Sequence, residues 1–564
     1  MTTSLNQADQ SDSRLGTTPP RKHWIDRLHH AGWTVFHHAQ KHTGVGIVCS
    51  VAYFDPGNWG VDLQAGSQYG YKLLFVVLLA GLFAVFLQVL ACRLGVVTGL
   101  DLASHCRILF HDRPRHTKLW RWAVLYPLYA LAEIAIISTD LAELLGSAIA
   151  LNLLFPSLPL WAGVLTTGAD VLLILAFGNP LCTRPVKFFE WIIAALVFAV
   201  LICMAIIIAK INVNWGQAFD GFVPSQELFA SGALYTSVGV MGATVMPHSL
   251  FLGSHLATQD RESKESIYPL SDKVQEQEST RIGSRRERLR NLGRAIWQNF
   301  RTLFIIERSN ARPKSHEHRE NNALEFVQSH LYHGIVDVVS SLLGFAVIIN
   351  ALILILASAV FYYGSGARGS ESPASLFDAH TLINNTIGKG AALLFALALL
   401  ASGQSASIVA TVAGQSVSEG FLNWKVSPII RRLVTRLIGL VPSMAVAIVV
   451  GPSGINTLLV ASQVILSIVL PFIVFPLIYL TSSSRIMRVH KTSPGGTSNN
   501  PLDTLESPSP AIAPVDADPE IPQTQDFVDF SSGKLMTFLG CLIWLVIVIA
   551  NVYVLVALGM GQGA

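Results

Sequence analysis

Charged residues are scarce in this sequence: Asp, Glu, Lys and Arg make up 13% of its 564 residues, whereas hydrophobic residues make up 51%. This balance excludes an ordinary soluble globular chain, which carries about twice that share of charge. The formal net charge is only +3, so we expect no binding of nucleic acid, which calls for a strongly basic surface.

The sequence also lacks the short motifs of common enzymes. No Walker loop, HExxH zinc motif or nucleophile elbow occurs in it. We therefore expect a protein that is not an enzyme, holds no cofactor and draws its energy from ion gradients rather than ATP. The six cysteines include no CxxC pair and predict neither a disulfide framework nor a zinc site. No apolar run lies close to Met1, so a cleaved secretory signal is not expected.

Apolar runs dominate the chain instead, and many approach the roughly 20 residues that a helix needs to cross a bilayer. They predict an all-α integral membrane protein with eleven spans. The predicted spans are residues 44–70, 73–99, 121–150, 158–178, 187–209, 232–257, 334–363, 389–421, 427–451, 454–481 and 535–559.

Basic residues concentrate in alternate loops between these spans, which places the N-terminus in the cytosol and the C-terminus outside. The resulting organisation is a disordered cytosolic tail (1–42), spans one to six (43–257), a charged cytosolic loop (258–333), spans seven to ten (334–481), a low-complexity cytosolic linker (482–533) and span eleven with an outside C-terminus (534–564). The sequon at Asn384 falls in a predicted outside loop and is a glycosylation candidate.

Two of the spans contain helix-breaking residues. Span one carries "YFDPGNWG" (53–60) and span six carries "GATVMPHSLFLGSH" (242–255), so the interruptions are five spans apart. Many transporters consist of two inverted halves of five helices, each beginning with a helix that is interrupted at mid-membrane. Interrupted backbone is tolerated in a membrane where it lines a protected cavity. The alternative is that each proline makes a simple kink.

The residues beside the two interruptions suit a divalent cation. Asp55 and Asn58 offer oxygen atoms at i and i+3, and interruption frees backbone carbonyls, which we expect to be those of Ala52 and Ala243. An oxygen-only site would suit Mg²⁺ or Ca²⁺, but the thioether of Met246 shifts the preference toward Mn²⁺, Fe²⁺, Co²⁺ and later metals. Packing is the alternative role for Met246.

Titratable residues inside other spans indicate a proton route. Glu133, Asp140 and Glu143 of span three lie within about 80° of one another on a helix, and such buried acids are usually functional. Basic residues at the start of span nine, Arg432 and Arg436 among them, can pair with these acids. The alternative is a purely structural ion-pair network. In our hypothesis Asp55 is protonated from outside while the site is empty, and the arriving cation expels that proton. His248 either tunes this step or only forms a hydrogen bond.

These motifs carry a family resemblance. "DPGN" in span one and "MPH" in span six resemble the paired signatures of the Nramp family of proton-coupled divalent-metal transporters. Further stretches agree: "ACRLGVVTGLDLA" (91–103), "STDLAELLG" (138–146), "ASGQSASIVATVAGQ" (401–415) and "RRLVTRLIGLVP" (431–442). The resemblance spans about residues 44–481. The charged insertion, long tails and eleventh span are similar to those of fungal members that import manganese.

The resemblance implies a LeuT-like fold, with a 5+5 inverted repeat whose helices 1 and 6 are broken, plus an eleventh transmembrane helix. It implies metal ligands at Asp55, Asn58, Met246 and the carbonyl of Ala243, joined in some states by the carbonyl of Ala52 and, in an occluded state, by Gln463. It also implies that Glu133, Asp140 and Glu143 carry protons. Gly253 departs from the pattern, since many relatives have histidine there.

The function expected is proton-coupled symport of Mn²⁺, Fe²⁺ and similar ions toward the cytosol, in the plasma membrane, with endosome and vacuole left open. The expected partners are these ions, protons, the lipid bilayer and trafficking or ubiquitin machinery at the cytosolic loops. Two alternatives remain. One is a LeuT-fold amino-acid carrier, and the other is a metal-sensing or signalling protein that keeps an Nramp-like membrane domain but transports little.

Overall fold

The structure, a computed structural model, describes residues 45–176, 186–230, 232–260, 307–308, 316, 320–364, 374–425, 428–491 and 527–560. The side chains of residues 169–192, 307–308 and 424–432 are not described. The predicted N-terminal tail (1–42) lies outside the described residues, as do most of the charged loop and the middle of the low-complexity linker.

Within these ranges the chain is mostly helical. Its first half contains α1 (Val45–Val51), α2 (Pro56–Tyr69), α3 (Leu74–Thr98), α4 (Leu102–Phe110), α5 (Thr117–Trp120), α6 (Tyr126–Leu154), α7 (Leu160–Ala176), α8 (Val186–Ile208), α9 (Trp215–Asp220), α10 (Ala233–Thr244) and α11 (Pro247–Leu256). Its second half contains α12 (Leu324–Ser341), α13 (Ile348–Ala357), α14 (Leu376–Thr386), α15 (Lys389–Leu422), α16 (Pro428–Val449), α17 (Pro452–Ser482), α18 (Ser484–Met487) and α19 (Lys534–Gly559).

Two pairs of short strands involve the polar insertions: one links the first insertion to the end of α15, and the other joins the two ends of the second insertion to each other. Strand β1 (Glu307–Arg308) pairs with β2 (Trp424–Lys425), and β3 (Arg488–His490) pairs with β4 (Phe527–Asp529), both antiparallel. The low-complexity linker is therefore ordered at both of its ends.

Six helical stretches of the described chain are long and apolar enough to cross a membrane: Pro56–Thr98, Thr117–Leu154, Leu324–Tyr362, Lys389–Leu422, Pro452–Ser482 and Lys534–Gly559. Three shorter apolar segments accompany them: Val45–Phe54, Ile193–Ile208 and Leu433–Val449. The stretch from Leu324 begins ten residues before the predicted span seven. Its first turns are amphipathic, with Val327 fully buried, so they extend the helix into the segment that the charge pattern assigns to a loop.

Helix α15 forms the centre of the bundle, where it packs against α6 and α8. Helix α17 packs against α6 and α10, and α2 packs against α13. This arrangement brings both predicted interruptions into the interior. The α1 interruption is a short 3-10 turn, Ala52–Phe54, followed by Asp55 in an extended conformation. The second interruption consists of Val245 and Met246, which leave the helical conformation between α10 and α11.

Two buried carboxylates cap helices at the ends of spans. Asp337 of α12 accepts a hydrogen bond of 2.7 Å from the backbone N–H of Gly46, in the first turn of α1. Asp101 is the N-cap of α4. Burial alone would raise the pKa of Asp101. Two neighbours outweigh this effect of burial: the imidazole of His255, 3.9 Å away, and Ser104, whose N–H and hydroxyl donate to the carboxylate. Together they lower the pKa of Asp101 to about 2.

Candidate functional site

Asp55 forms the N-terminal cap of α2. Its Oδ1 accepts a hydrogen bond of 2.8 Å from the backbone N–H of Asn58, which satisfies one of the free donors of that first turn. Pro56 occupies the first helical position, where its missing N–H and fixed φ are tolerated. Because Pro56 has no N–H, the carbonyl of Ala52 four residues earlier loses its α-helical donor.

The interruption between α10 and α11 repeats this chemistry. Pro247 begins α11, and Met246 is its fully buried N-cap residue. The missing N–H of Pro247 deprives the carbonyl of Ala243 of its α-helical donor. The two carbonyls that the sequence predicts as ligands are thus the two that the prolines deprive of an α-helical partner.

Neighbouring helices hold the backbone of the first interruption. The carboxamide of Asn350, on α13, donates a hydrogen bond of 2.6 Å to the carbonyl of Tyr53, and the carboxamide of Asn58 donates to the same carbonyl. The hydroxyl of Ser402, on α15, donates one of 2.6 Å to the carbonyl of Phe54. Asn350 and Ser402 are absent from the predicted site. The signal was there, since both are polar residues within apolar helices.

The two interruptions meet at Gln463 of α17. A β-carbon at Gly57 would overlap the carboxamide of Gln463, and one at Gly242 would overlap its backbone carbonyl. Position 242 therefore needs glycine for close approach to backbone, whereas a side chain at Gly57 would displace the carboxamide of Gln463. A direct link supplements this packing, because the hydroxyl of Tyr53 lies 2.7 Å from that of Ser249 on α11.

Three oxygen atoms around Gly57 are buried and find no hydrogen-bond donor among the described residues: Oδ2 of Asp55, Oδ1 of Asn58 and Oε1 of Gln463. All three side chains are at most 1% exposed. A buried polar atom without a partner costs about 1–3 kcal/mol, and more when it is charged. Bound to a cation, such oxygens regain that free energy. The described residues contain no cluster of three His, Cys, Asp or Glu that could hold a metal, so a site here needs amide, carbonyl and thioether ligands beside the carboxylate of Asp55.

The structure joins two of the predicted proton-route residues directly. Nη1 of Arg436, on α16, lies 3.2 Å from Oδ1 of Asp140 on α6, and both side chains are buried. Nη2 of the same guanidinium donates to the hydroxyl of Ser407 on α15. Glu143 is also buried, whereas Glu133 is partly exposed. The side chain of Arg432 falls outside the described part of the structure.

His248 lies between the second interruption and the acidic helix. Its Nδ1 is 3.3 Å from the hydroxyl of Thr139, the residue before Asp140. The imidazole is 2% exposed. His248 therefore connects α11, which begins beside Met246, to the helix that carries the predicted proton route.

Two more positions refine the predicted site. Asp62, which the sequence analysis omits, is a second acid of α2, 2% exposed, with no donor to its Oδ2 among the described residues. An acid two turns after Asp55 in an apolar run was the available signal. At Gly253, where the family resemblance leads us to expect histidine, a β-carbon would overlap Nε2 of Gln88, so the side chain of Gln88 fills that space.

The sequon residue Asn384 is helical and belongs to the connection between the predicted spans seven and eight. It lies in the last turn of α14, where the hydroxyl of Thr386 donates to the carbonyl of Leu382. This hydroxyl is therefore engaged within the helix, and α14 packs against α15. The outside location of Asn384 stays a prediction.

A mostly helical membrane protein in which two interrupted helices face each other around buried oxygens defines the class of secondary transporters. Comparison with known proteins agrees. The sequence model of the family described as "Natural resistance-associated macrophage protein-like" matches residues 46–497. The chain belongs to this family, Nramp, and the resemblance stated from its motifs is confirmed.

Several relatives cover nearly the whole chain. "Manganese transporter pdt1" of Schizosaccharomyces pombe is 40% identical over 92% of this chain and 86% of its own length. "Iron transporter SMF3" of Saccharomyces cerevisiae is 37% identical over 92% of this chain and 96% of its own length. Among solved structures, a mutant of the Eremococcus coleocola manganese transporter superposes with a TM-score of 0.63 at 25% identity, covering 95% of this chain and 87% of its own. These relatives are transporters rather than enzymes.

Proposed function

We propose that this protein carries divalent transition-metal ions, Mn²⁺ and Fe²⁺ among them, across a membrane toward the cytosol together with protons. The main observation that supports this proposal is a group of three buried oxygens without donors among the described residues. They belong to Asp55, Asn58 and Gln463, where the two helix interruptions meet. The buried sulfur of Met246 adds a soft ligand at the second interruption, which favours Mn²⁺ and Fe²⁺ over Ca²⁺ and Mg²⁺. The names of the fungal relatives, manganese and iron transporters, point to the same substrates.

In this proposal the ligands are the side chains of Asp55, Asn58 and Met246 and the carbonyl of Ala243. The carbonyl of Ala52 and the carboxamide of Gln463 join them in some states of the transport cycle. The single carboxylate leaves part of the cation charge uncompensated. A proton on Asp55 and a divalent cation at the same site then exclude one another, and this exclusion is the basis of coupling.

The expelled proton has a route on α6. His248 approaches Thr139, and the next residue along α6 is Asp140, paired with Arg436. Glu143 lies one turn further along α6, and Glu133 lies toward the partly exposed start of the helix. We propose that these acids pass the proton to the cytosol, with Arg432 and Arg436 as their basic counterparts.

The proposed architecture is a LeuT-like 5+5 inverted repeat plus an eleventh helix. In this architecture, residues 43–257 contain spans one to six, and residues 334–481 contain spans seven to ten. Residues 534–564 contain the last span and an outside C-terminus. The tail 1–42, the loop 258–333 and the linker 482–533 are then cytosolic and available to trafficking or ubiquitin machinery. The plasma membrane is the proposed location. A fluorescent tag after residue 564 that is accessible to antibody in intact cells tests the orientation.

The function is tested with the purified full chain in liposomes under an inward proton gradient. We expect saturable Mn²⁺ uptake with internal acidification, competition by Fe²⁺ and Co²⁺, and little competition by Ca²⁺. Asp55→Asn should abolish uptake and acidification together. Met246→Ala should retain uptake but lose discrimination against Ca²⁺.

The control is Asp220→Asn, which removes an exposed acid of α9 and should change neither readout. Full proton-coupled Mn²⁺ uptake by Asp55→Asn would refute the mechanism. Metal binding without transport by the unmodified chain would favour the sensing alternative, and uptake of amino acids in place of Mn²⁺ would favour the carrier alternative.

A further inference from the structure

Helix α19 touches the rest of the protein along one narrow stripe. Its buried residues are Gly540, Ile543, Ile547, Asn551 and Val554. Asn551 is the polar member of this stripe, and it is 4% exposed. Polar side chains in apolar helices are rare and commonly join neighbouring helices through hydrogen bonds. The contact that Asn551 makes is therefore informative.

Asn551 replaces a hydrogen bond that α17 lacks. Pro471 stands inside α17 and has no N–H, so the carbonyl of Ser467, four residues earlier, loses its helical donor. The carboxamide of Asn551 donates a hydrogen bond of 2.9 Å to this carbonyl. The indole of Trp544, on the same face of α19, donates one of 2.9 Å to the carbonyl of Pro471 itself. Helix α19 thus binds α17 at the proline-weakened turn.

This turn of α17 adjoins the proposed metal site. Ser467 follows Gln463 by four residues and therefore lies on the same face of α17. A β-carbon at Gly242 of α10 would overlap the backbone of both residues. The next residue of α10 is Ala243, whose carbonyl is a proposed ligand. One continuous set of contacts therefore runs from Asn551 through Ser467 to the two helices that form the site.

We propose that Asn551 is a positioning residue for metal transport. By supplying the donor that Pro471 lacks, it fixes the turn of α17 that carries Gln463 and holds it against the second interruption. Helix α19 is then a working part of the transporter rather than a peripheral addition. This inference rests on the proposed function, because it needs Gln463 to approach the transported ion.

The test measures the concentration dependence of Mn²⁺ uptake in liposomes, normalised to the amount of folded protein. Asn551→Leu should raise KM about three- to fifteenfold, the range expected for one interhelical hydrogen bond in a membrane, and should change the maximal rate less. Pro471→Ala restores a backbone N–H that can donate to Ser467. In that background, Asn551→Leu should have little further effect. Val552→Leu, on the lipid-facing side of α19 (54% exposed), is the matched control and should leave KM unchanged.

A second cycle tests whether the effect passes through Gln463. With Gln463→Ala already present, Asn551→Leu should not raise KM again. A purely structural role predicts less folded protein with an unchanged KM, and that result would overturn the inference. Equal effects of Asn551→Leu with and without Pro471→Ala would overturn it too. If the unmodified chain takes up no Mn²⁺, the proposed function itself fails, so the two failures are distinguishable.

Discussion

Gly57→Ala gives a sharp test of the geometry, because the added atom would collide with one side chain. A β-carbon at this position overlaps Nε2 and Cδ of Gln463, so the carboxamide has to leave its place. Alanine is the better helix former by about 1 kcal/mol, so the helix itself should tolerate the change. Overpacking in a buried site costs about 1–3 kcal/mol. Because the displaced carboxamide belongs to a proposed ligand, KM for Mn²⁺ should rise, by about five- to 150-fold where this whole cost falls on the metal-bound state.

The assay is Mn²⁺ uptake by liposomes that contain equal amounts of protein. The matched control is Gly60→Ala one turn later. Its β-carbon would meet the end of the Leu459 side chain, with Cδ2 at 2.7 Å and Cγ at 3.3 Å, and not Gln463, so it should have a smaller effect on KM. Gln463→Ala removes the colliding atoms. The double variant with Gly57→Ala should therefore resemble Gln463→Ala alone. Uptake by Gly57→Ala that equals that of the unmodified chain would refute the placement of Gln463.

Three other predictions concern buried charges. Asp337→Ala leaves the N–H of Gly46 without an acceptor, which costs about 1–3 kcal/mol; hydrogen exchange at the start of α1 should accelerate, and Asp337→Asn should largely prevent this. Arg436→Met removes the guanidinium that pairs with the buried carboxyl group of Asp140, which should destabilise the protein by about 3–5 kcal/mol; thermal denaturation in detergent should show this loss, with partial recovery when Asp140→Asn is added. The pKa of Asp101 lies near 2, below its ordinary 3.8, so its charged form stabilises the fold above about pH 4 and less as the pH falls toward 2. Asp101→Asn should therefore cost about 2 kcal/mol at pH 7, and graded-pH denaturation should show this difference vanish near pH 2.

The positions of both helix interruptions could be predicted from the sequence because their causes are local. Proline removes an N–H, and glycine allows another segment to approach closely. The sequence itself shows Pro56 with Gly57 at the first interruption and Gly242 with Pro247 at the second. The predicted pairing of span three with span nine is also found, through Asp140 and Arg436. An acid within one apolar run and an arginine within another have few partners inside a membrane, which is why that inference succeeds.

Contacts between distant segments could not be predicted in the same way. Asn350 and Ser402 stand out in the sequence as polar residues within apolar helices, but the sequence does not indicate that they support the carbonyls of Tyr53 and Phe54. Unlike charged groups, uncharged polar side chains can bond to many backbone and side-chain groups. The start of α12 at Leu324 was misjudged for a related reason. Its first turns carry charge on one face, and only packing of the other face decides that they are helical.

A single physical rule connects the three prolines discussed here. Each removes the N–H that would satisfy a carbonyl four residues earlier, at Ala52, Ala243 and Ser467. In a membrane such a carbonyl needs a substitute partner. For Ser467 the partner is the carboxamide of Asn551. The carbonyls of Ala52 and Ala243 belong instead to the two interruptions that meet at Gln463, where buried oxygens already lack donors. One proline-weakened turn is thus closed by another helix, whereas in the proposed function the transported cation completes the other two.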